Sequence, residues 1–338
     1  MFVGNNMIQE RLPFVDVAKG IAIWLMLIGH QNICNLLSIY IESFHMPLFF
    51  FVSGMFFRKN RSFFQNLESS IRGLLIPYLF FSIINLSICW ISPYIHPELY
   101  YNMTGIDIFR AAITGIFMGV DQVTSTSFLP LGPLWFLMAL FVIRVFCSAM
   151  SSVIKNETIW AFVSIAISIS IYFILTTNVY SLKSGMMATP FFIAGFLMRK
   201  VDFTQIKYRY LIILFLLLYF VFIIPLNGPS NSDGAIFGNW MVVYYMNAIV
   251  GTLIVLLLST YITYKNNYLQ KIGCNTLVIL GMHSFFIKLM QIISVYLFGY
   301  DSMYSVIYII VVPIIAIICC LYINRYIVKY FPIALGKR

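Results

Sequence analysis

The sequence predicts an all-α integral membrane protein, a bundle of about ten transmembrane helices with both termini in the cytoplasm. Of its 338 residues, 61% are hydrophobic and only 9% are charged, whereas a soluble domain usually carries about 25% charged residues. Apolar runs of about twenty residues, long enough to cross a bilayer as a helix, recur from one end of the chain to the other. A soluble fold cannot hide so much apolar surface, so we expect one membrane domain over residues 1–338 and no soluble domain.

The apolar runs place the helices in order along the chain. Ten spans are predicted, near residues 17–39, 44–57, 73–94, 129–147, 159–175, 185–198, 210–226, 240–262, 273–298 and 304–323. Between them, the run 106–120 looks amphipathic and is predicted to lie in the membrane interface. The segment 227–239 is rich in Gly, Pro, Asn and Ser, which is typical of a mobile outer loop.

The basic residues predict the orientation. The formal net charge of +10 is by itself also typical of a protein that binds nucleic acid. With ten spans and a cytoplasmic N-terminus, however, only Arg110, Lys183 and Lys288 fall away from the cytoplasmic ends, which leaves 18 of the 21 Lys and Arg on that side. Such an asymmetry follows the positive-inside rule. We therefore expect the lipid bilayer as the surroundings and no nucleic-acid partner.

Ionisable side chains at membrane depth are costly, so each one is a candidate functional residue. The first span carries Asp16, Lys19 and His30. Eleven residues separate Lys19 from His30, close to three helical turns, so both lie on one helix face, roughly 16 Å apart along the axis. Lys19 would lie at the cytoplasmic mouth and His30 near mid-membrane. A ligand with an anionic head and a long thin arm, such as coenzyme A, fits that separation.

Two further histidines are predicted at a similar depth. His45 precedes a Met-Pro pair, and because proline disfavours helix at the preceding residue, we expect His45 on irregular backbone, roughly 20 Å above Arg58. His283 is twelve residues beyond Lys271, roughly 18 Å above it, and Glu42 is the one carboxylate clearly near that level. A polar side chain facing lipid would be unsatisfied. We therefore predict that the three histidines converge on one chamber, with His283 at its edge and a tunnel leading to it from Lys19.

Five stretches of the chain carry a pattern that resembles a known family. They are 16–22 with 27–30, 44–54, 72–78, 132–137, and 275–277 with 283. Together they resemble membrane acyltransferase family 3, the multi-spanning O-acyltransferases that modify sugars and glycolipids. The second stretch is closest to the subgroup resembling fucose 4-O-acetylases. Many members carry two arginines three residues apart before the third helix, whereas the matching positions here are Ser69 and Arg72, so only one arginine is kept.

The resemblance implies an O-acyltransferase, in particular an O-acetyltransferase. Acyl-coenzyme A, specifically acetyl-CoA, would be the donor substrate from the cytoplasm, and the acceptor would be a hydroxyl of a sugar, glycolipid or surface polysaccharide. His30 would act either as general base on that hydroxyl or as a nucleophile that briefly carries the acyl group, and the sequence does not decide between the two. His45 would stabilise the oxyanion, Glu42 would orient a histidine, and His283 would act at the edge of the chamber.

The donor's phosphates would meet cations at the cytoplasmic mouth. Lys19 and Arg72 are the candidates for donor binding, together with Asp16 of the first stretch. Several of these residues also have an alternative interpretation that is purely structural. Lys19 and Arg72 would then reach to the lipid headgroups, His45 would cap the second helix, and His283 would be a helix-packing contact.

The alternative function is a transporter or flippase for a glycolipid or a small anion. Ten spans and mid-membrane polar residues agree with it, but the sequence shows no inverted repeat and no pair of corresponding broken spans. The cysteines and histidines lack metal-ligand spacing, so no metal and no permanently bound cofactor is expected. The family indicates the cytoplasmic (inner) membrane of a bacterium. The acceptor, the acyl group and the formation of a homo-oligomer are left open.

Overall fold

The computed structural model of the chain describes residues 12–31, 33–95, 104–119, 132–232, 234–263 and 267–336. These residues form an all-α structure, and the only strand-like pairing among them is an isolated bridge between Asn231 and Ile236. The helices are α1 (Pro13–Gly29), α2 (Asn35–Met55), α3 (Phe63–Ser70), α4 (Ile76–Ile95), α5 (Gly105–Met118), α6 (Trp135–Val153), α7 (Glu157–Ile174), α8 (Leu182–Leu197), α9 (Arg209–Ile223), α10 (Met241–Ile262), α11 (Asn267–Cys274), α12 (Thr276–Phe298) and α13 (Val306–Tyr330).

The helix lengths agree with a protein that crosses the membrane many times. Within the described ranges, eight helical segments are long and apolar enough to span a bilayer. The helices α1 and α8, with 17 and 16 residues, fall just short of that length. Each of the ten predicted spans corresponds to one of these ten segments. The prediction of an all-α multi-span membrane protein is therefore confirmed, while the cytoplasmic location of both termini stays a prediction.

The first two predicted boundaries are wrong. Instead of one span over 17–39, α1 ends at Gly29 and α2 already begins at Asn35. The short connection contains apolar residues, so hydropathy alone does not reveal it. The side chain of Gln31 replaces part of the lost helical hydrogen bonding, because its amide donates to the carbonyl oxygen of Leu27 at 3.0 Å.

His45 lies on regular helix, which corrects the expectation of irregular backbone. It is part of α2, as is Pro47 two residues later. The steric rule against helix before proline is a preference, and helices in membranes tolerate proline more readily than helices in water. The rotation of α2 therefore sets the direction of the His45 side chain.

Small residues allow the helices nearest the site to pack closely. Gly54 on α2 lies against the backbone of Phe192 on α8, while Gly195 on α8 lies against the backbone of Phe51 on α2. A Cβ atom at either glycine would overlap the facing carbonyl oxygen. Such reciprocal contacts are typical of membrane helices that approach through small residues, and this one holds α2 firmly against α8.

The segment before α4 contains a local irregularity. Residues Ile71–Leu75 form a π-helical turn that joins α3 to α4 without a break. The extra residue in such a turn changes the rotation of the helix, and π turns occur often at functional sites. Arg72 lies within this turn.

Candidate active site

The turn between α1 and α2 brings two of the predicted histidines to one cavity. His30 caps the C-terminus of α1, and His45 lies in the third turn of α2. Both line a cavity of about 100 Å³, together with Glu42. The remaining lining residues are Met26, Met46, Pro133, Trp135, Asn231 and Ser232. The cavity is therefore built from segments that are far apart in the sequence.

The third histidine reaches the same place from α12. The rings of His30 and His283 stack, with centroids 5.4 Å apart and planes inclined by 25°. His283 is fully buried, whereas His30 is exposed to the cavity. The three histidines thus converge as expected, while their roles stay predictions. In the part of the chain that the structure describes, no group of three or more His, Cys, Asp or Glu side chains could hold a metal ion.

Backbone carbonyls determine the tautomers of two of these rings. Nδ1 of His45 lies 2.7 Å from the carbonyl oxygen of Ile41, and Nδ1 of His283 lies 2.7 Å from that of Ile279. A carbonyl oxygen only accepts, so Nδ1 carries the proton and Nε2 keeps a lone pair in each neutral ring. Nε2 of His283 is buried and has no hydrogen-bond partner among the described residues. The His30 side chain makes no hydrogen bond with them either.

Glu42 and Trp135 form two walls of the cavity. One carboxylate oxygen of Glu42 accepts the hydroxyl hydrogen of Ser38 at 2.8 Å. The backbone of Ile41, and not Glu42, therefore orients the Nδ1 side of His45. Trp135 is almost buried and packs against aromatic neighbours on α2 and α6.

The outer loop 227–239 forms another wall, through Asn231 and Ser232. Ser232 is buried, and its hydroxyl lies 3.0 Å from the hydroxyl of Tyr244. The hydroxyl of Tyr172 donates to the carbonyl oxygen of Ala235 at 2.7 Å. Side-chain hydrogen bonds therefore hold these residues against the helices beneath the loop, while the mobility of the loop and its location on the outer side stay predictions.

A second cavity, of about 530 Å³, is strongly basic. It is lined by Arg61, Arg72 and Arg144, and the lining also contains Glu68, which pairs with Arg72 at 2.6 Å. Nε of Arg144 is buried without a hydrogen-bond partner in the described part of the chain. Three guanidinium groups beside one carboxylate leave a positive excess, and guanidinium groups suit phosphate well because they donate in a planar fork.

Sequence reasoning missed two of these arginines. It assigned Arg61 and Arg144 to the orientation signal alone. A usable signal existed for Arg144, which is the only charged residue in the whole of α6 and therefore a candidate by the membrane-depth argument. Ser69, which stands at the position of the missing family arginine, lines the same cavity. Asn231 and Ser232 had no comparable signal, since polar residues are ordinary in loops.

Lys19 pairs with Asp16 and lines neither the histidine cavity nor the basic cavity. Its Nζ is 2.7 Å from Oδ1 of Asp16, whose side chain is nearly buried. The backbone of Asp16 packs against Gly273 of α11. Neither cavity is lined by Lys19. The structure therefore brings Arg72, but not Lys19, to the basic cavity, and the part of Lys19 and Asp16 in donor binding stays a prediction.

One helix contributes to both cavities. Trp135 at the start of α6 lines the histidine cavity, and Arg144 on the same helix lines the basic cavity. Nine residues of α-helix separate them, which is roughly 14 Å along the axis. A ligand with an anionic group in the basic cavity would thus need an arm of about that length to reach the histidines.

Comparison with known proteins gives one match. A family model described as an acyltransferase domain, that of acyltransferase family 3, matches residues 12–325. No curated protein and no solved structure matches the chain. The family model does not separate subgroups, so the likeness to fucose 4-O-acetylases stays a prediction.

Proposed function

Since the chain belongs to membrane acyltransferase family 3, we propose that it transfers an acetyl group from cytoplasmic acetyl-coenzyme A to a hydroxyl of a sugar, glycolipid or surface polysaccharide. The donor, the acceptor and the acetyl group are the parts of this proposal that go beyond membership of the family.

The observation that carries the proposal is the position of His30. Its ring is exposed to a cavity that His45 shares, and it stacks on the buried His283. A side chain that makes no hydrogen bond with the described residues can exchange a proton with a bound hydroxyl. Placing three imidazoles together inside a membrane domain is costly, which argues for chemistry and against simple packing.

Two routes of transfer remain open. In the first, a nitrogen of His30 takes the proton of the acceptor hydroxyl while the hydroxyl oxygen attacks the thioester carbonyl. The carbon–sulfur bond then breaks, and the coenzyme A thiolate leaves and takes up that proton. In the second, the unprotonated nitrogen of His30 attacks the carbonyl, the carbon–sulfur bond breaks, and the proton of the other ring nitrogen passes to the leaving coenzyme A thiolate. The acceptor hydroxyl oxygen then attacks the acyl carbon, the bond between the acyl group and the ring nitrogen breaks, and the hydroxyl proton returns to the ring.

The tautomer of His45 supports a different role from the expected one. With the proton on Nδ1, the neutral ring has Nε2 as an acceptor and has no N–H left for an oxyanion. We propose that Nε2 of His45 accepts a hydrogen bond from a neighbouring hydroxyl of the acceptor sugar and so orients the reacting one. Stacking against His283 would limit the orientations available to the His30 ring.

The basic cavity is the proposed site of the donor's phosphates. Its three arginines offer the charge, and Arg144 supplies a buried N–H that lacks a partner in the described residues. The pantetheine arm would then run along α6 toward Trp135. This route starts from Arg61, Arg72 and Arg144 and does not require Lys19.

The experiment is a donor-binding and transfer assay on the purified full-length chain. Calorimetric titration with coenzyme A should show binding, and acetyl-coenzyme A should release free thiol when a glycan acceptor fraction is added. A transporter would bind its cargo without cleaving the thioester. Failure to bind coenzyme A would contradict the proposed donor, while binding without thiol release on any acceptor would contradict the proposed transfer.

A further inference from the structure

A third cavity lies at the surface of the helix bundle and plays no part in the proposed transfer. It is a groove of about 560 Å³ between α1, α11 and α13. Trp24 contributes from α1, and the wall from α13 is an apolar stripe that ends in a cation. The stripe consists of Ile314, Ile317, Ile318, Leu321, Tyr322 and Arg325. The wall from α11 consists of Tyr268, Leu269, Lys271 and Ile272.

Two fixed contacts keep this groove open. Gly20 on α1 and Gly273 on α11 lie so close to the facing backbone that a Cβ at either one would overlap a carbonyl oxygen, which holds α11 against α1. On the other side, the amide of Asn324 on α13 donates to Oδ1 of Asn275 at 2.7 Å. Because α11 and α13 are each held in place, their side chains cannot collapse to fill the space between them.

The groove is polar at one end only. Lys271 and Arg325 lie at that end, both are exposed, and neither forms an ion pair with any residue that the structure describes. From Arg325 the groove runs along α13 to Ile314, which is eleven residues or roughly 16 Å. Half the hydrocarbon thickness of a bilayer is about 15 Å. The apolar length therefore matches one leaflet, with the two cations at its surface.

We propose that this groove binds an anionic phospholipid from the leaflet on the side of the chain termini, which the charge distribution predicts to be the cytoplasmic leaflet. The phosphate and headgroup contact Lys271 and Arg325, and one acyl chain lies along the stripe of α13 beside Trp24. The charge selects the lipid, because a zwitterionic headgroup leaves the two cations uncompensated. Tyr268 and Tyr322 suit the interfacial level that such a headgroup occupies.

Quenching of Trp24 fluorescence tests this proposal on the full chain. Detergent-solubilised protein is titrated with phosphatidylglycerol or phosphatidylcholine brominated on the acyl chains. The contribution of Trp24 is the difference between the native chain and Trp24→Phe. We expect phosphatidylglycerol to quench it at several-fold lower concentration than phosphatidylcholine. If the two lipids quench Trp24 at equal concentrations in the native chain, that result alone overturns the proposal.

Charge variants then locate the headgroup. Replacing Lys271 and Arg325 together by Gln should weaken the quenching by phosphatidylglycerol about fivefold for each cation removed. The matched control replaces Arg58 and Lys200 by Gln, which removes two exposed cations that do not line the groove. The control should leave the titration unchanged. An equal loss in both double variants would show only general attraction to the membrane surface and would overturn the assignment.

Discussion

Trp135 and Arg144 lie on the same helix, α6, and each lines a different cavity. The first lines the histidine cavity and the second lines the basic cavity, and α6 holds them roughly 14 Å apart along its axis. In the proposed function, a rigid helix therefore sets the distance between the phosphates and the reacting end of the donor. The sequence predicted that α1 supplies this distance through Lys19 and His30, and the part of Lys19 in donor binding stays a prediction.

His30→Ala should abolish most transfer while leaving coenzyme A binding nearly unchanged. His30 meets the acyl end of the donor in our proposal, and loss of a general base typically lowers a rate about 100- to 10,000-fold. The turnover is measured as thiol release and the affinity by calorimetry. An active His30→Ala protein would remove the centre of the proposed mechanism.

His45→Ala should lower turnover more than His283→Ala does. His45 lines the cavity, whereas His283 acts through its stack with the His30 ring. Comparing kcat for the two variants at saturating donor tests this order. A larger loss in His283→Ala would indicate that the stacked ring takes part in the chemistry directly.

Arg144→Gln should weaken coenzyme A binding about tenfold or more, because a hydrogen bond between a buried guanidinium and a phosphate is among the strong ones. Arg72→Gln should have a smaller effect, since Arg72 is more exposed and already pairs with Glu68. The loss of coenzyme A affinity caused by Arg72→Gln should shrink at high salt more than the loss caused by Arg144→Gln. Lys155→Gln, an exposed cation outside the cavity, serves as the control, and an equal loss there would mean that only the overall charge matters.

Cysteine labelling checks the predicted orientation. In a background without native cysteines, a thiol reagent that cannot cross the membrane should label Ile236→Cys from outside and leave Asn60→Cys unlabelled. Both positions are exposed, whereas Ser232 on the same outer loop is buried and would give a weak signal in either orientation. The opposite pattern would place the termini outside and would invalidate the donor's route from the cytoplasm.

Gly54→Ala should destabilise the protein by about 1–3 kcal/mol, because the new methyl group would overlap the carbonyl of Phe192 and force α2 away from α8. Thermal unfolding in detergent measures the effect. Gly73→Ala is the matched control, since a Cβ there meets no atom within 4 Å. Equal melting temperatures for the two variants would show that the crossing of α2 and α8 tolerates separation.

The sequence was informative where the signal is local. The basic residues predict an orientation because insertion reads charge near each span, and the predicted spans follow from runs of apolar residues. The ends of the helices were predicted less accurately than their number and order. The turn after Gly29 escaped detection because it is short and lies between two apolar runs, and the proline after Met46 was given too much weight as a helix breaker.

The sequence by itself determined the class of protein, an all-α membrane protein with many spans, and it singled out the three histidines that come together, because hydrophobicity and the cost of a buried polar group are properties of single segments. Only the tertiary structure decided which side chains meet. The side chain of Lys19 pairs with Asp16. Arg61 and Arg144 line the same cavity as Arg72, and Ser232 from a loop lines the histidine cavity. These outcomes depend on the rotation and crossing of helices, which close contacts such as Gly54 against Phe192 fix. Such contacts join residues far apart in the chain, and no local pattern reports them.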